Sequence, residues 1–140
     1  MILYLMRHGQ TDWNAEEKVQ GWNDTPLNET GAEQARAAAG KLSGEKIETI
    51  YASDLKRARK SADIISGILD LPVHYTKRLR EMNFGKAEGL KKKRFGSGLS
   101  LYLSGFQRHQ KPRTLRYRLP RRGNDRRSTA AFYEIYQQTV

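Results

Sequence analysis

Ile2-Leu-Tyr-Leu-Met6 runs directly into Arg7-His-Gly-Gln-Thr11, and this junction decides the fold. Five apolar residues ended by a charge and a glycine suit a short buried strand. In open parallel sheets, ligands bind just beyond the C-terminal ends of the strands, which is where His8 falls. Gly9 lets a ligand come close to the backbone. A neutral imidazole is a good nucleophile for a phosphoryl group, and its ordinary pKa of about 6.5 leaves it largely deprotonated at pH 7. Arg7 suits the same task, because a guanidinium pairs two phosphate oxygens and keeps its charge. A lone Arg-His pair is more often a core or capping histidine beside a surface arginine, so the pair needs support from elsewhere in the chain.

Outward from this strand, residues 7–28 are polar and read as loop. Thr30-x-x-Glu33 matches a capping box, and Ala32, Ala35, Ala39 and Leu42 recur at helical spacing before Gly44. Residues 47–52 read as a second strand. Residues 54–69 read as a second amphipathic helix, with Leu55, Ala58, Ala62, Ile65 and Leu69 on one face. Residues 72–75 form a third strand pattern, and 79–89 a loop with a short extended piece. Strands alternating with helices predict an α/β fold, a mainly parallel sheet flanked by helices.

The chain has 140 residues, no cysteine and a formal net charge of +11. That length suits one domain. Without cysteine there is no disulfide framework, thiolate metal site or thiol catalysis. No apolar run approaches the ~20 residues of a membrane helix, and six apolar residues before Arg7 make no signal peptide, so the expected compartment is the cytoplasm. The charge is unevenly placed. Residues 1–90 carry 13 basic and 13 acidic side chains, whereas 91–140 carry 13 basic against Asp125 and Glu134 alone. Two compositions meet near Leu90. Beyond it the alternation stops, and only residues 130–140 look weakly helical.

Four ordered stretches carry a family resemblance: Leu5-Met-Arg-His-Gly-Gln-Thr-Asp-Trp-Asn14, Gln20-Gly-Trp-Asn-Asp-Thr-Pro-Leu-Asn-Glu-Thr-Gly31 with Glu33-Gln-Ala35, Tyr51-Ala-Ser-Asp-Leu-Lys-Arg-Ala58, and Leu79-Arg-Glu-Met-Asn-Phe-Gly85 with Glu88-Gly89. Together they resemble the histidine phosphatase superfamily, also called phosphoglycerate-mutase-like, over residues 1–90. The resemblance implies a phosphohistidine formed at His8, with Arg7 and Arg57 neutralising phosphate oxygens, since phosphoryl transfer is mostly positioning and electrostatic stabilisation. It implies that Asn14, Gln20 and Gly21 line the phosphate end and that Glu81 supplies the leaving-group proton. No metal or other cofactor is implied, and the partner is a phosphorylated small molecule. Taken alone, Arg57 would pass for a solvated charge among Lys56, Arg59 and Lys60.

The same resemblance implies a second active-site histidine in a late strand, in a Ser-His-Gly or similar turn. The other histidines are His74, in a strand pattern that reads as structural, and His109, with no strand before it and no glycine after it; neither matches. Lys91-Lys-Lys-Arg94 can be encoded by an adenine run, where a one-base slip shifts the frame. One base along, Leu119-Pro-Arg-Arg-Gly-Asn-Asp-Arg-Arg-Ser-Thr129 is compatible with Phe-Pro-Gly-Gly-Glu-Thr-Ile-Ala-Glu-Val-Gln, which is similar to the family's next motif. Arg94-Phe-Gly-Ser-Gly-Leu-Ser100 is compatible in that frame with Asp-Leu-Ala-Ala-Ala-Tyr-Pro. The expectation is therefore the N-terminal part of a phosphomonoester hydrolase domain over 1–90, its α/β fold incomplete at the C-terminus, and a basic, out-of-frame, poorly packed segment over 91–140 that impairs it. Two alternatives stand beside it. One is a phosphoglycerate mutase, against which Gln20 before Gly21 and the short stretch between Tyr75 and Glu81 lean slightly. The other is a nucleic-acid module using Arg113, Arg116, Arg118, Arg121, Arg122, Arg126 and Arg127 with Tyr117 and Phe132, against which shifted codons explain the arginine excess.

Overall fold

A computed structural model describes residues 2–91, Leu115–Arg118 and Thr129–Ala131. Strand β1 (Ile2–Leu5) leads through a one-turn helix α1 (Asp12–Ala15) to helix α2 (Glu29–Leu42). Strand β2 (Ile50–Ala52), helix α3 (Lys56–Leu69) and strand β3 (Val73–Tyr75) follow. Two 3-10 turns, Lys77–Leu79 and Gly85–Ala87, shape the next loop. Strands β4 (Leu115–Arg118) and β5 (Thr129–Ala131) complete a sheet of order β3-β2-β5-β1-β4. All neighbouring pairs are parallel except β1 with β4, as the alternating pattern predicts. None of the described helices is long and apolar enough to cross a membrane.

The core lies between one sheet face and the two long helices. Tyr4 and Met6 from the first strand and its exit, with Ile50 and Ala52 from β2, meet Ala35, Ala38, Ala39 and Leu42 of α2 and Ala62 and Ile65 of α3. Five of those six helix positions carry the face read from the sequence, and Ala38 extends it.

Local chemistry moves several boundaries. The box expected at Thr30 and Glu33 does not form: α2 begins earlier, and Asn28 caps it by accepting the Gly31 N–H at 2.9 Å. Asparagine is among the best N-caps, and it pre-empts the threonine. The reciprocal box forms instead within the stretch expected to be loop, between Thr11 and Asn14 around α1. The second strand is trimmed to its last three residues, while Ile47 still packs against the core. Helix α3 starts at Lys56 rather than 54, its first turn capped from outside, with Asp24 accepting the Lys56 N–H at 2.6 Å.

The segment after Leu90 departs from expectation where it is described. Leu115–Arg118 and Thr129–Ala131 join the sheet, β5 at its centre with Ala130 opposite both Tyr4 and Ile50. Ala130 and Ala131 are therefore strand, not the start of a helix. Strand pairing uses main-chain groups that almost any sequence supplies, so side-chain periodicity does not announce it. The remaining expectations for 92–140, including poor packing and the rest of that helix, lie outside the described residues.

Two glycines seat the loop that carries His8. A Cβ on Gly9 would lie 2.2 Å from the Gly31 carbonyl oxygen, and one on Gly31 would lie 2.2 Å from the Gln10 carbonyl oxygen. The loop leaving β1 thus crosses the start of α2 backbone against backbone.

Candidate active site

Strands β1, β2 and β3 run parallel on either side of β5, so whatever follows each of them emerges at the same sheet edge. His8 follows β1, Arg57 lies in the first turn after β2, and Glu81 follows β3. Residues 49 and 73 positions apart along the chain meet for this reason.

The His8 side chain is buried, with 8% of the residue exposed. Its Nδ1 lies 2.6 Å from the Gly9 carbonyl oxygen, and its Nε2 lies 3.2 Å from the Arg57 Nε. A carbonyl only accepts and a guanidinium only donates. Nδ1 must therefore carry the hydrogen, and Nε2 is the unprotonated nitrogen that accepts from Arg57. Burial first, then the charges of Arg7 and Arg57, hold the His8 pKa well below its ordinary value; the Gly9 hydrogen bond opposes them. The ring is thus held toward its neutral form, with its unprotonated nitrogen facing the arginine.

Arg57 is 0% exposed. Besides His8, it donates from Nη1 to the Asn23 carbonyl at 2.9 Å and from Nη2 to the Gly21 carbonyl at 2.7 Å, and Nη2 lies 3.5 Å from Glu81 Oε2. Its neighbours Lys56, Arg59 and Lys60 are exposed, so the solvated-charge description fits them and not Arg57. Gly21 adopts φ +55°, and a Cβ there would lie 2.3 Å from Glu88 Oε1. This left-handed turn delivers the Gly21 carbonyl to Arg57.

Arg7 is half-buried beside His8 and acts on it through its charge. Gln20 and Asn14 sit one layer out. The Gln20 side-chain oxygen takes the Thr11 hydroxyl at 2.8 Å and the Thr25 hydroxyl as well. The Asn14 oxygen takes the Thr11 backbone N–H at 3.1 Å. Both brace the loops around His8 and Arg57 in this conformation. His74 is exposed in mid-strand, stacked on Tyr51 at 5.1 Å between ring centroids, consistent with its structural reading. His109 lies outside the described residues.

Several contributors carry no role in the sequence reading. Ser61 accepts the Gly9 N–H at 3.0 Å and donates to the Arg57 carbonyl at 2.8 Å, tying the His8 loop to α3. The available signal was a polar residue four positions after Arg57, on the apolar face of the helix. Glu88 accepts the backbone N–H groups of Trp22 at 2.8 Å and Phe84 at 3.1 Å. The Trp22 indole N–H donates to the Glu81 carbonyl at 2.7 Å. No periodicity signals these cross-loop bonds.

The sequence profile of the histidine phosphatase superfamily (branch 1) matches residues 3–137, beyond the 1–90 over which the four motifs run. A probable phosphoglycerate mutase of Photorhabdus laumondii is 43% identical over 86 residues, covering 61% of this chain and 40% of that protein. An uncharacterized phosphatase of Bacillus subtilis is also 43% identical over 86 residues, covering 61% and 45%. The solved mycobacterial glucosyl-3-phosphoglycerate phosphatase, in complex with VO3, is 41% identical with a TM-score of 0.62, over 64% of this chain and 43% of that one. The chain thus matches less than half the length of these curated relatives.

Proposed function

This chain belongs to the histidine phosphatase superfamily, and from that premise we propose that it is built for phosphomonoester hydrolysis through a transient phosphohistidine at His8. The observation that carries the proposal is the buried His8, held toward its neutral form, whose unprotonated Nε2 accepts from the buried Arg57. In the first step Nε2 attacks phosphorus, the P–O bond to the leaving alcohol breaks, and Glu81 gives its proton to that oxygen. In the second, water attacks the phosphohistidine, its proton passes to Glu81, and inorganic phosphate leaves with His8 regenerated. Arg57 must first exchange His8 Nε2 for a phosphate oxygen, so substrate binding itself uncovers the nucleophile. Arg7 adds charge neutralisation, and Gly21, Gln20 and Asn14 hold the loops that shape the phosphate end.

Incubation with a 32P-labelled phosphomonoester should leave an acid-labile, alkali-stable label on the protein, and His8→Ala should remove it. A label that survives His8→Ala places the nucleophile elsewhere. The mutase named among the relatives supports a second outcome, in which the phosphoryl group returns to bound product; phosphate release without rephosphorylated product argues against it.

The proposal extends to an impaired chain. Neither His74 nor any other described histidine stands opposite His8, and the codons after the Lys91-Lys-Lys-Arg94 run permit family-like motifs one base along. Re-reading the nucleotide sequence across residues 90–94 tests this: an intact single frame refutes it. The nucleic-acid alternative rests on arginines that, apart from Arg116 and Arg118 of β4, lie outside the described residues.

A further inference from the structure

Trp22 is 44% exposed at the edge of the site, yet both its nitrogens are engaged. Its backbone N–H is held by Glu88 at 2.8 Å, and its indole N–H by the Glu81 carbonyl at 2.7 Å. Exposed tryptophans have water to donate to, so a short bond to one carbonyl reflects a fixed ring. The Arg80 guanidinium covers that ring at 4.9 Å from its centroid and grips Asp54 with two hydrogen bonds of 2.6 Å. The peptide between Arg80 and Glu81 is thereby held on both sides, by an anchored side chain and by a donor to its neighbouring carbonyl. At the far end of this clamp, the Glu81 carboxylate lies 3.5 Å from Arg57.

We propose that Trp22, braced by Arg80, is a positioning residue for Glu81: its indole N–H fixes the backbone that sets the carboxyl against Arg57. The proposal rests on the assignment of Glu81 as the proton donor of the phosphate site. Such a donor has to be held to within about 0.5 Å to work, and Glu81 stands in a segment with only 3-10 turns around it. Packing within a helix or strand does not hold it there, and the Trp22 and Arg80 contacts supply bracing from outside the segment.

A double-mutant cycle on anion binding by the full chain separates positioning from mere structural support. The probe is inorganic sulfate, a dianion that does not titrate near neutral pH, followed calorimetrically for the wild type, Trp22→Phe, Glu81→Gln and the double variant. Phenylalanine keeps an aromatic face for Arg80 and loses the donor. Removing the carboxylate beside Arg57 should tighten sulfate about three- to tenfold. Trp22→Phe should change affinity in the same direction by less, and the double variant should match Glu81→Gln alone. Trp22→Gln, which restores an N–H donor, should move part of the way back. Additive effects, or a Trp22→Phe chain that binds like wild type while Glu81→Gln does not, overturn the positioning role alone. A wild-type chain that fails to bind sulfate, or a Glu81→Gln chain indistinguishable from it, overturns the site assignment and the clamp with it.

Discussion

Arg57→Lys keeps the charge and removes the fork, which makes it the sharpest probe of how the site is held. Among its partners in the described residues, the guanidinium reaches His8 Nε2 from Nε, the Asn23 carbonyl from Nη1, and the Gly21 carbonyl and Glu81 from Nη2. A lysine ammonium radiates its three donors from a single atom and cannot span that set, so at least two acceptors lose their donor. Each buried acceptor left unmade costs about 1–3 kcal/mol, which gives a loss of roughly 2–6 kcal/mol. Against a typical domain stability of about 5–15 kcal/mol, this is a large fraction. Urea unfolding followed by far-UV circular dichroism should show a markedly lower midpoint for Arg57→Lys. Lys60→Gln, on an exposed position of the same helix, should stay within about 0.5 kcal/mol of wild type. If Arg57→Lys also stays within that margin, Arg57 is not the buried organiser described above, and its role at the phosphate loses its structural basis.

Other outcomes follow from the same contacts. Because the fold holds His8 neutral while the unfolded chain protonates it below about pH 6.5, the His8 contribution to stability is full above that pH and declines as pH falls, by at most about 1.4 kcal/mol per pH unit; denaturant titrations from pH 7 to 5 should show a shallower decline in His8→Gln. Gly9→Ala drives a methyl into the Gly31 carbonyl and should destabilise by about 1–3 kcal/mol, whereas Gly40→Ala, with open space on α2, should stabilise by roughly 0.5–1 kcal/mol, both read as melting shifts. On a generic aryl phosphate near neutral pH, phosphate release by the 140-residue chain should be very weak or absent, since losing one preorganised donor alone costs about 10²–10³ in rate; release equal to that of a frame-restored chain refutes the impairment and makes His109 the next residue to substitute.

The sequence by itself determined the first three strands, the two long helices and the apolar faces those helices bury. An apolar run before Arg7-His8, alanines at helical spacing and a break in charge at Leu90 are local patterns, because a residue's contribution to a helix or strand depends mainly on neighbours within one turn or one pleat. It also supplied the chemistry, since His8, Arg57 and Glu81 stand in motifs whose resemblance assigns them roles. Tertiary structure decided how those residues are held. The loop leaving β1 lies against Gly31, beside the Asn28 cap of α2, with backbones too close for a side chain on either glycine. Residues 115–118 and 129–131 entered the sheet through main-chain pairing that side-chain pattern does not encode. The burial of Arg57 amid exposed Lys56, Arg59 and Lys60, and the grip of Trp22 on the Glu81 carbonyl, are bonds between segments 34 to 59 residues apart. Sequence can show that a donor is present; only the parallel strands, delivering three loops to one edge, bring its acceptor within reach.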